Sequence, residues 1–585
     1  MVFKSKHTLD ENNHHVTSIF RKTGDHAVID HKADTDEEIL GSLGYKQEFK
    51  RELSIWSSFG VSFSCLGLLP SIASTLGYNL GYSGPAGSVW GWLVAGILIQ
   101  FVAFAMAELC SSMPTAGGLY YASAVLAPEG YGPLCSWVCF ISSIFESELT
   151  FGEITGWSNF AGEVTAPCAI NYALAAMMLT AAQIVHPDYV VQTWHVYLLL
   201  LALLVLQGLL AMNSTKFVGA LNTVGTVTNL IVLLIFVIWF PAGSISEPKT
   251  NPSSVVWTSE GVVNGTEWPT GFAFLMGFLS VIWTLAGYDA PFHLSEECSN
   301  ANIAGPRAIV MTAQLGLWLG WAIILVIAYT VKDIQDVVSG EYGQPMGSLC
   351  LQVLGPKAGL AMFSLNMVAQ FFVGQGVTVV SSRVVYAYSR DGALPGSHWL
   401  KQVNPRTKTP VYAVWFVLTL GALLGLLMFA SPVAIGAVFS MGAIAQYIAF
   451  VFPIALKVFS AKGRFRPGPW NLGRFSTPIG VVAVGWVSLI IPILCFPSVT
   501  GADLNDLNMN YTCLIYGGTM TLAMCWYAIS ARKWFKGPKI NVEHLIHGDG
   551  SGDGSRIGGT GNTVVEKEGQ TVGEDGSGET GEMRS

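Results

Sequence analysis

Long apolar runs separated by short polar segments recur from residue 55 to residue 531. A run of about 20 apolar residues forms a helix long enough to cross the hydrocarbon core of a bilayer. Twelve runs can be placed, at 55–78, 88–112, 154–186, 192–212, 217–241, 271–294, 309–331, 358–386, 410–430, 433–457, 478–500 and 511–531. The pattern predicts an all-α integral membrane protein with twelve transmembrane helices.

Composition and the two ends of the chain agree with this prediction. Hydrophobic residues make up 51% of the chain and charged residues only 12%, whereas soluble domains carry about 25% charged residues. The twelve-span apolar domain is expected at 51–535, between polar tails at 1–50 and 536–585. The second tail is rich in Gly, Glu, Ser and Thr and cannot bury a core, so we expect both tails to be largely disordered.

The distribution of basic residues predicts the orientation. Lysine and arginine concentrate in the loops after the eighth and tenth runs and are sparse after the fifth and seventh. Cytoplasmic loops carry the excess of positive charge, so both termini are expected in the cytoplasm. The sequons at Asn264 and Asn510 then lie outside, where N-glycosylation occurs. The plasma membrane is the expected location, with an internal membrane as the alternative.

One segment, 138–154, does not fit the count of spans. It is partly apolar but carries Glu146, Glu148 and Glu153, which are costly in lipid. Counting it as a span would place the two termini on opposite faces of the membrane. We therefore predict an atypical, non-spanning insertion.

Two of the apolar runs contain residues that break helices. The sixth carries Gly287, Asp289 and Pro291, and the first carries Gly67 and Pro70. A helix that breaks inside lipid frees backbone amides and carbonyls, which are tolerated only where they line a cavity. Broken helices of this kind indicate the substrate site of a secondary transporter. The alternative for the first run is a packing glycine with an ordinary kink.

Three separated motifs resemble hallmarks of the amino acid–polyamine–organocation (APC) superfamily, most closely its fungal amino acid/choline transporter branch, which includes 4-aminobutyrate permeases. The motifs are 107–121 after the second run, 287–297 at the end of the sixth and 382–395 after the eighth. The resemblance covers about 50–535. It implies a LeuT-like fold, with two inverted five-helix repeats followed by two extra helices, and substrate held at the breaks of the first and sixth helices.

The same resemblance gives the expected spacing of the residues on either side of the insertion. In such permeases the Ser-Trp and Gly-Trp pairs seen here at Trp137 and Trp157 lie close together, whereas residues 138–154 separate them in this chain. The segment is either a genuine insertion or a translated intron, because the codon of its first residue, Val138, begins with GT as introns do. Sequencing the transcript decides between the two.

The candidate substrate site combines both breaks with the third span. A half-helix N-terminus at the first break offers amides to a carboxylate, and an intramembrane carboxylate such as Glu163 is a functional candidate, as counter-charge or proton carrier. A solvent-reaching helix end is the alternative for Glu163, and a structural cap is the alternative for Asp289. The resemblance implies that Trp283 covers the substrate. The candidates are Ser64, Gly67, Leu68, Asn159, Glu163, Trp283, Thr284, Ala286, Gly287 and Asp289.

A second group of candidates concerns gating and ions. Ion pairs among Glu296, Glu297, Arg383 and Arg390 are predicted to hold the inner gate shut, with a solvated basic loop as the alternative. The resemblance also implies that Trp283 gates the pocket by closing over it, with a lipid-facing or packing tryptophan as the alternative. The resemblance to sodium-coupled relatives makes Ser381 and Ser382 a candidate ion site. We expect proton coupling instead, since serines in membrane helices commonly bond their own backbone.

Enzyme readings find no support in the sequence. It has no Walker-type phosphate loop, no nucleophile elbow and no metal-spaced set of ligands, so no cofactor or metal is expected. The sequence predicts a secondary-active permease that imports amino acids or small amines such as 4-aminobutyrate by proton symport with alternating access. The alternatives are transport of a cationic metabolite (choline, thiamine or a polyamine) and a non-transporting nutrient receptor. The expected partners are the amino substrate, the proton and the bilayer, without nucleic acid.

Overall fold

The computed structural model describes residues 36–128, 135, 155–430, 432–461, 465–505, 508–535 and 537–538. The predicted insertion at 138–154 and most of both tails therefore lie outside the described residues. Within the described part the fold is helical, and its only β pairing is an isolated parallel bridge between Leu53 and Cys298. The predicted all-α class is confirmed.

The membrane spans consist of long apolar helices. In order they are Ile55–Leu66 with Leu68–Ser112, Thr155–Val185, Thr193–Ala211, Thr215–Ala242, Thr270–Met276 with Phe278–Thr284, Ala286–Asp289 and Ala290–His293, Ala301–Thr330, Pro345–Arg390, Val411–Gly425 with Leu426–Phe429, Pro432–Ala455 with Leu456–Ser460, Ser476–Leu494 and Thr512–Ile529.

The count agrees with the twelve predicted spans. Ten described helices are long and apolar enough to cross a membrane, or eleven when the bent pair Thr270–Thr284 and Ala286–His293 is one span. The first of these, Ile55–Ser112, is 58 residues long, and Gly84 interrupts it with a φ of 66°. It therefore contains the first and second spans, which brings the total to twelve.

Short helices lie before the first span, in the connections between spans and after the last span. They are Asp36–Ser42, Gly118–Leu126, Ser253–Trp257, Ser259–Gly261, Ser295–Glu297, Ile334–Ser339, Ser397–Leu400, Gly473–Phe475, Gly501–Asp503 and Ala531–Lys533. Two of them flank the functional region described below. Gly118–Leu126 follows the second span, and Ser295–Glu297 follows the sixth.

The first and sixth spans are both broken, five spans apart, as the inverted-repeat arrangement requires. The first span stops at Leu66 and resumes at Leu68, because Gly67 adopts a left-handed conformation (φ 44°, ψ 66°). The sixth span bends by 40° and continues through the 3₁₀ helix Ala286–Asp289. The breaks touch, since a Cβ on Gly287 would lie 3.2 Å from Cys65 Cβ.

The outer surface of the bundle remains apolar. Large hydrophobic side chains on several spans are more than half exposed, among them Leu198 (55%), Ile238 (67%) and Leu522 (73%). Apolar surface on this scale is unfavourable in water and suits contact with hydrocarbon. In contrast, the charged side chains of Glu163, Asp289 and Arg383 are all buried.

The residues before the first span form a packed segment, which we call the N-terminal segment (36–54). Its helix Asp36–Ser42 is followed by buried side chains at Leu43, Tyr45 and Phe49. Arg51 Nη1 anchors it by donating to the carbonyls of Ser295 (3.1 Å) and Cys298 (2.7 Å). Residues 36–50 thus differ from the expected disordered tail, because their apolar side chains are buried against the bundle.

Candidate functional site

A small cavity lies between the two helix breaks and the third, eighth and tenth spans. Its volume is about 40 Å³, which is room for only a few water molecules, so a substrate fits only after lining side chains move. The lining residues are Cys65, Ser71, Glu163, Ala166, Ile170, Trp283, Ala286, Gly287, Asp289, Ala290, Val377, Val380 and Gln446. Five of the predicted substrate residues are among them.

The other predicted substrate residues lie outside this lining. The Ser64 hydroxyl donates to the carbonyl of Phe372 at 3.4 Å and is turned toward the eighth span. Gly67 and Leu68 form the break itself, and Thr284 is buried beside the cavity wall. Ala166 and Ile170 were not predicted from the sequence, although they follow Glu163 at helical spacings of three and seven and so share its face.

Glu163 is held from two other spans. Its Oε1 accepts a hydrogen bond from Gln446 Nε2 at 3.2 Å, and its Oε2 lies 3.0 Å from Ser381 Oγ, whose single hydrogen can also go to the carbonyl of Glu163 (2.7 Å) or of Val377 (2.9 Å). The residue is only 2% exposed, which argues against a helix end that reaches water. The carboxyl is therefore fixed in the cavity wall, where a ligand with a positive charge would meet it.

Asp289 reaches the same cavity from the sixth span. Its Oδ2 lies 3.5 Å from His293 Nε2, one helical turn away. Ligand atoms of Glu163, Asp289 and His293 all lie within 4.8 Å of one another, and all three residues are buried. No lysine or arginine is among the described residues that line the cavity. Two carboxyls and an imidazole without a basic partner can hold a cation or share protons.

Trp283 forms one wall of the cavity beside the sixth-span break. Its ring centroid lies 5.2 Å from that of Phe439 in a tilted arrangement. Gly442 makes room for the indole, since a Cβ there would lie 3.3 Å from Trp283 Cζ3. The ring is thereby packed against the tenth span.

Beyond the cavity lies a cluster of buried charges, which we call the charged mouth (Glu296, Glu297, Arg383 and Arg390). Arg383 Nε donates to Glu297 Oε1 at 2.8 Å, and Arg390 Nη1 lies 2.9 Å from Glu296 Oε2. Outside this cluster, Lys457 pairs with Glu108. The structure thus brings together the four residues named as gate candidates and joins the eighth span to the end of the sixth.

Glu296 has the densest set of partners in the charged mouth. Its Oε1 also accepts from Thr115 Oγ1 at 3.0 Å and from the amide of Ala116 at 2.9 Å. Burial alone raises the pKa of Glu296, but the charge of Arg390 and these hydrogen bonds outweigh it and hold the pKa below its ordinary value. The carboxylate is therefore charged at neutral pH.

The N-terminal segment covers the charged mouth. The ring of Tyr45 lies under Arg390, with the guanidinium carbon 3.9 Å from the ring centroid. The Tyr45 hydroxyl donates to Asp391 Oδ2 at 3.0 Å, and Gln47 Nε2 donates to the carbonyl of Glu296 at 2.9 Å. These contacts bind the segment to both sides of the ion pairs, so the mouth is closed in this conformation.

Comparison with known proteins gives the family. A family model described as amino acid permease matches residues 53–519. The chain belongs to the amino acid permease family. Its function as a multi-pass membrane permease, rather than as an enzyme, follows from that membership.

Relatives of this permease include characterised and uncharacterised proteins. An uncharacterized amino-acid permease of Schizosaccharomyces pombe is 46% identical over 90% of this chain and 94% of the relative. A Candida albicans protein provisionally named a polyamine transporter is 39% identical over 90% of this chain and 93% of its own. A GABA-specific permease of Saccharomyces cerevisiae is 33% identical over 87% of each chain.

The two serines proposed as an ion site in this permease engage different partners. Ser381 Oγ lies beside Glu163, as described above, whereas Ser382 Oγ donates to the carbonyl of Val379 at 2.6 Å and accepts from Arg383 Nη1 at 3.1 Å. Ser381 thus faces Glu163 and Ser382 faces Arg383. The ion site at these two serines stays a prediction.

The two sequons of the permease differ in their surroundings. Asn264 is exposed in the connection between the fifth and sixth spans. Asn510 is partly buried, and its Nδ2 donates to the carbonyls of Leu494 (3.1 Å) and Phe496 (3.2 Å). Thr512 of the second sequon is buried and begins the last span. The first sequon is thus the more accessible of the two.

Proposed function

We propose that this permease imports a small compound with an amino group, such as 4-aminobutyrate, by proton symport with alternating access. The observation that carries the proposal is the cavity at the two helix breaks, with Glu163 and Asp289 in its wall and no basic residue among its described lining. Such a site stabilises an ammonium group. The relative named a GABA-specific permease supports the choice of substrate class.

The substrate is oriented by its two ends. The ammonium group lies between Glu163 and Asp289, and Trp283 covers it, since a cation over an indole gains about 0.5–2 kcal/mol. The carboxylate is bound by the amides at the start of Leu68–Ser112, the second half of the first span. Amides in the first turn of a helix have no hydrogen-bond acceptor within the helix and are free to bind a ligand. The positive end of the helix dipole adds to their attraction for a carboxylate.

Transport requires the charged mouth to open. In the proposed orientation the basic loops and both termini are cytoplasmic, in the plasma membrane, so the mouth is the inner gate and this conformation is closed toward the cytoplasm. Opening separates Arg383 from Glu297 and Arg390 from Glu296 and removes the N-terminal segment. A ligand shifts a conformational equilibrium only by the difference in its affinity for the two states. Substrate and proton bound from outside therefore drive the opening by binding more tightly to the conformation in which the mouth is open.

A second candidate is a polyamine or another cationic metabolite. Two carboxyls in one cavity without a lysine or arginine among the described lining also match a substrate with two ammonium groups. The Candida albicans relative provisionally named a polyamine transporter is consistent with this reading. For such a substrate the carboxylate contact at the first break has no role, and Glu163 and Asp289 carry more of the binding energy.

Uptake of labelled 4-aminobutyrate and putrescine into cells without endogenous permeases tests both candidates. We expect accumulation of 4-aminobutyrate that is greater at acidic outside pH. Glu163→Gln should lower it about 10-fold or more, since a hydrogen bond to a charged group contributes about 1.5–3 kcal/mol. Glu260→Gln, at an exposed position of an outer loop, is the matched control and should have no effect.

Each remaining outcome of the uptake test has a defined meaning. Uptake of putrescine alone favours the second candidate. Failure to accumulate either compound, with the full-length protein present at the membrane, contradicts import and leaves the non-transporting receptor. Uptake that Glu163→Gln leaves unchanged contradicts the proposed site.

A further inference from the structure

We propose that His293, together with Asp289, holds the coupling proton and links the substrate cavity to the charged mouth. The inference rests on the proposed proton symport and names the residues that perform it. His293 is fully buried, is not part of the cavity wall and lies one helical turn from Asp289 on the side of the charged mouth. It is therefore a positioning and proton-holding residue rather than a substrate ligand.

The hydrogen bonds of the imidazole fix one of its protons. Nδ1 lies 3.3 Å from the carbonyl oxygen of Ala116. A carbonyl oxygen only accepts, so Nδ1 carries the hydrogen of this bond. In a neutral ring Nε2 then has a lone pair and no hydrogen.

This assignment leaves a place for a second proton. Nε2 faces Asp289 Oδ2 at 3.5 Å, and two acceptors at this distance repel unless a proton lies between them. Oδ2 makes no hydrogen bond in the structure, although it is buried. One proton taken from outside water on binding converts the contact into an imidazolium–carboxylate pair. The same proton returns to cytoplasmic water after substrate release, so charge and mass balance over one cycle.

Asn159 is suited to both states of the imidazole. Its Nδ2 lies 3.4 Å from His293 Nε2 and 3.1 Å from the Tyr388 hydroxyl, while its Oδ1 is buried without a hydrogen-bond partner. In this orientation the amide donates to a neutral Nε2. Rotation of the amide by half a turn presents Oδ1 to Nε2 instead, which removes the clash of two donors when Nε2 carries the hydrogen that pairs with Asp289. The predicted substrate residue Asn159 thus serves the histidine instead.

The link to the charged mouth passes through one residue. The carbonyl of Ala116 binds His293, and the amide of Ala116 donates to Glu296 Oε1 at 2.9 Å. Glu296 in turn pairs with Arg390. Gly118 allows the close approach, because it has a φ of +49° and a Cβ there would lie 3.0 Å from His293 Cε1. Protonation of the imidazole strengthens its hydrogen bond to the carbonyl of Ala116. Because the amide of the same residue binds Glu296, the change acts on the Glu296–Arg390 ion pair of the gate.

The groups around His293 are acidic or neutral. Within the described part of the chain no lysine or arginine pairs with the ring. The titratable groups that face it or its immediate partners are Asp289 of the same span, Glu163 of the third, Cys65 of the first, Tyr388 of the eighth and Tyr120 of the helix Gly118–Leu126. Both carboxylates favour a protonated ring, and burial opposes it.

The test separates coupling from binding in full-length protein reconstituted into proteoliposomes, with labelled 4-aminobutyrate as the probe. Two rates are measured, exchange of substrate without a pH gradient and accumulation driven by a gradient that is acidic outside. His293→Gln should lower the ratio of accumulation to exchange at least about 10-fold. His398→Gln, at an exposed loop position, is the matched control and should keep the ratio.

A second variant keeps the histidine and changes its neighbour. Asn159→Asp adds a carboxylate beside Nε2 and should raise the pH midpoint of uptake by about 1 unit or more, since an adjacent opposite charge shifts a pKa by about 1–3 units. If His293→Gln abolishes substrate exchange as well as accumulation, the pH midpoint of Asn159→Asp tests the role of His293 in its place. An unchanged ratio in His293→Gln, or an unchanged midpoint in Asn159→Asp, overturns the assignment. A wild-type protein that neither exchanges nor accumulates the probe contradicts the proposed function itself.

Discussion

Arg390 Nη1 contacts both carboxylate oxygens of Glu296, at 2.9 Å and 3.1 Å, although both side chains are buried. A buried ion pair contributes little net stability, because desolvation of the two charges offsets most of their attraction. Breaking such a pair by removing one partner is costly, however, since the other charge stays buried. This asymmetry suits a gate, which must be closed firmly in one conformation and hydrated in the other.

Arg390→Gln should therefore open the charged mouth. An uncompensated Glu296 disfavours the closed conformation by about 3–5 kcal/mol. Cys298 reports the change, because burial raises the pKa of its thiol to about 11 and keeps it unreactive while the mouth is closed. We expect maleimide labelling of Cys298 in inside-out vesicles, measured by mass spectrometry, to rise at least about 10-fold. Arg307→Gln, at an exposed position, should leave the labelling unchanged; an equal rise there would contradict the gate.

Tyr45 should stabilise the same closed conformation from the N-terminal segment. Tyr45→Phe keeps a ring under Arg390 and loses the hydrogen bond to Asp391, whereas Tyr45→Ala loses both. A cation–π contact contributes about 0.5–2 kcal/mol, so Cys298 labelling should increase from wild type to Tyr45→Phe and again to Tyr45→Ala. If both variants label like the wild type, the segment does not help to close the mouth.

The sequence predicted the helix breaks and the charge clusters for physical reasons. Gly67 and Gly287 interrupt apolar runs, and a break within lipid is stable only beside a cavity. Glu296, Glu297, Arg383 and Arg390 sit at the ends of spans, where opposite charges that become buried must pair. Both inferences depend only on residues close together in the chain and on the cost of placing polar groups in lipid, so a single sequence is enough to make them.

Other features depend on packing between distant parts of the chain. Gln446 reaches Glu163 from the tenth span, and Ala116 accepts from His293 only because the turn after the second span lies beside the sixth. The N-terminal segment was expected to be disordered because its composition is polar and mixed. The few apolar residues of 36–50 find a surface that only the folded bundle provides.

Trp283 should control access to the cavity. Trp283→Leu removes the contact with Phe439 and the cation–π surface, together about 1–3 kcal/mol. We expect KM for 4-aminobutyrate uptake to rise about 5-fold to 100-fold, with the protein still at the cell surface. Trp399→Leu, at a position that is 58% exposed, is the control. Unchanged kinetics in Trp283→Leu would remove the tryptophan from the gate.

Gly67 should resist substitution for two separable reasons. Its φ of +44° is unfavourable for an L-residue by about 1–2 kcal/mol, and a Cβ would lie 2.1 Å from Val373 Cγ2. Gly67→Ala should lower thermal stability in detergent and abolish uptake, and adding Val373→Ala should restore only the part that arises from the steric clash. Gly271→Ala, where nothing lies within 4 Å of the added carbon, should be neutral. Full rescue by Val373→Ala would show that the backbone conformation is not required.

Glycosylation should occur at Asn264 and not at Asn510. The Asn264 sequon is exposed in a connection between spans, whereas Thr512 of the other sequon is the first residue of the last span and is buried. A sequon at the start of a span lies at the membrane surface, where a bulky glycan and its transferase have little room. Asn264→Gln should therefore abolish the glycosidase-sensitive mobility shift of the full-length protein, and Asn510→Gln should retain it. The reverse result would contradict this prediction and would mean that Asn510 gives up its hydrogen bonds to the carbonyls of Leu494 and Phe496 in order to be modified.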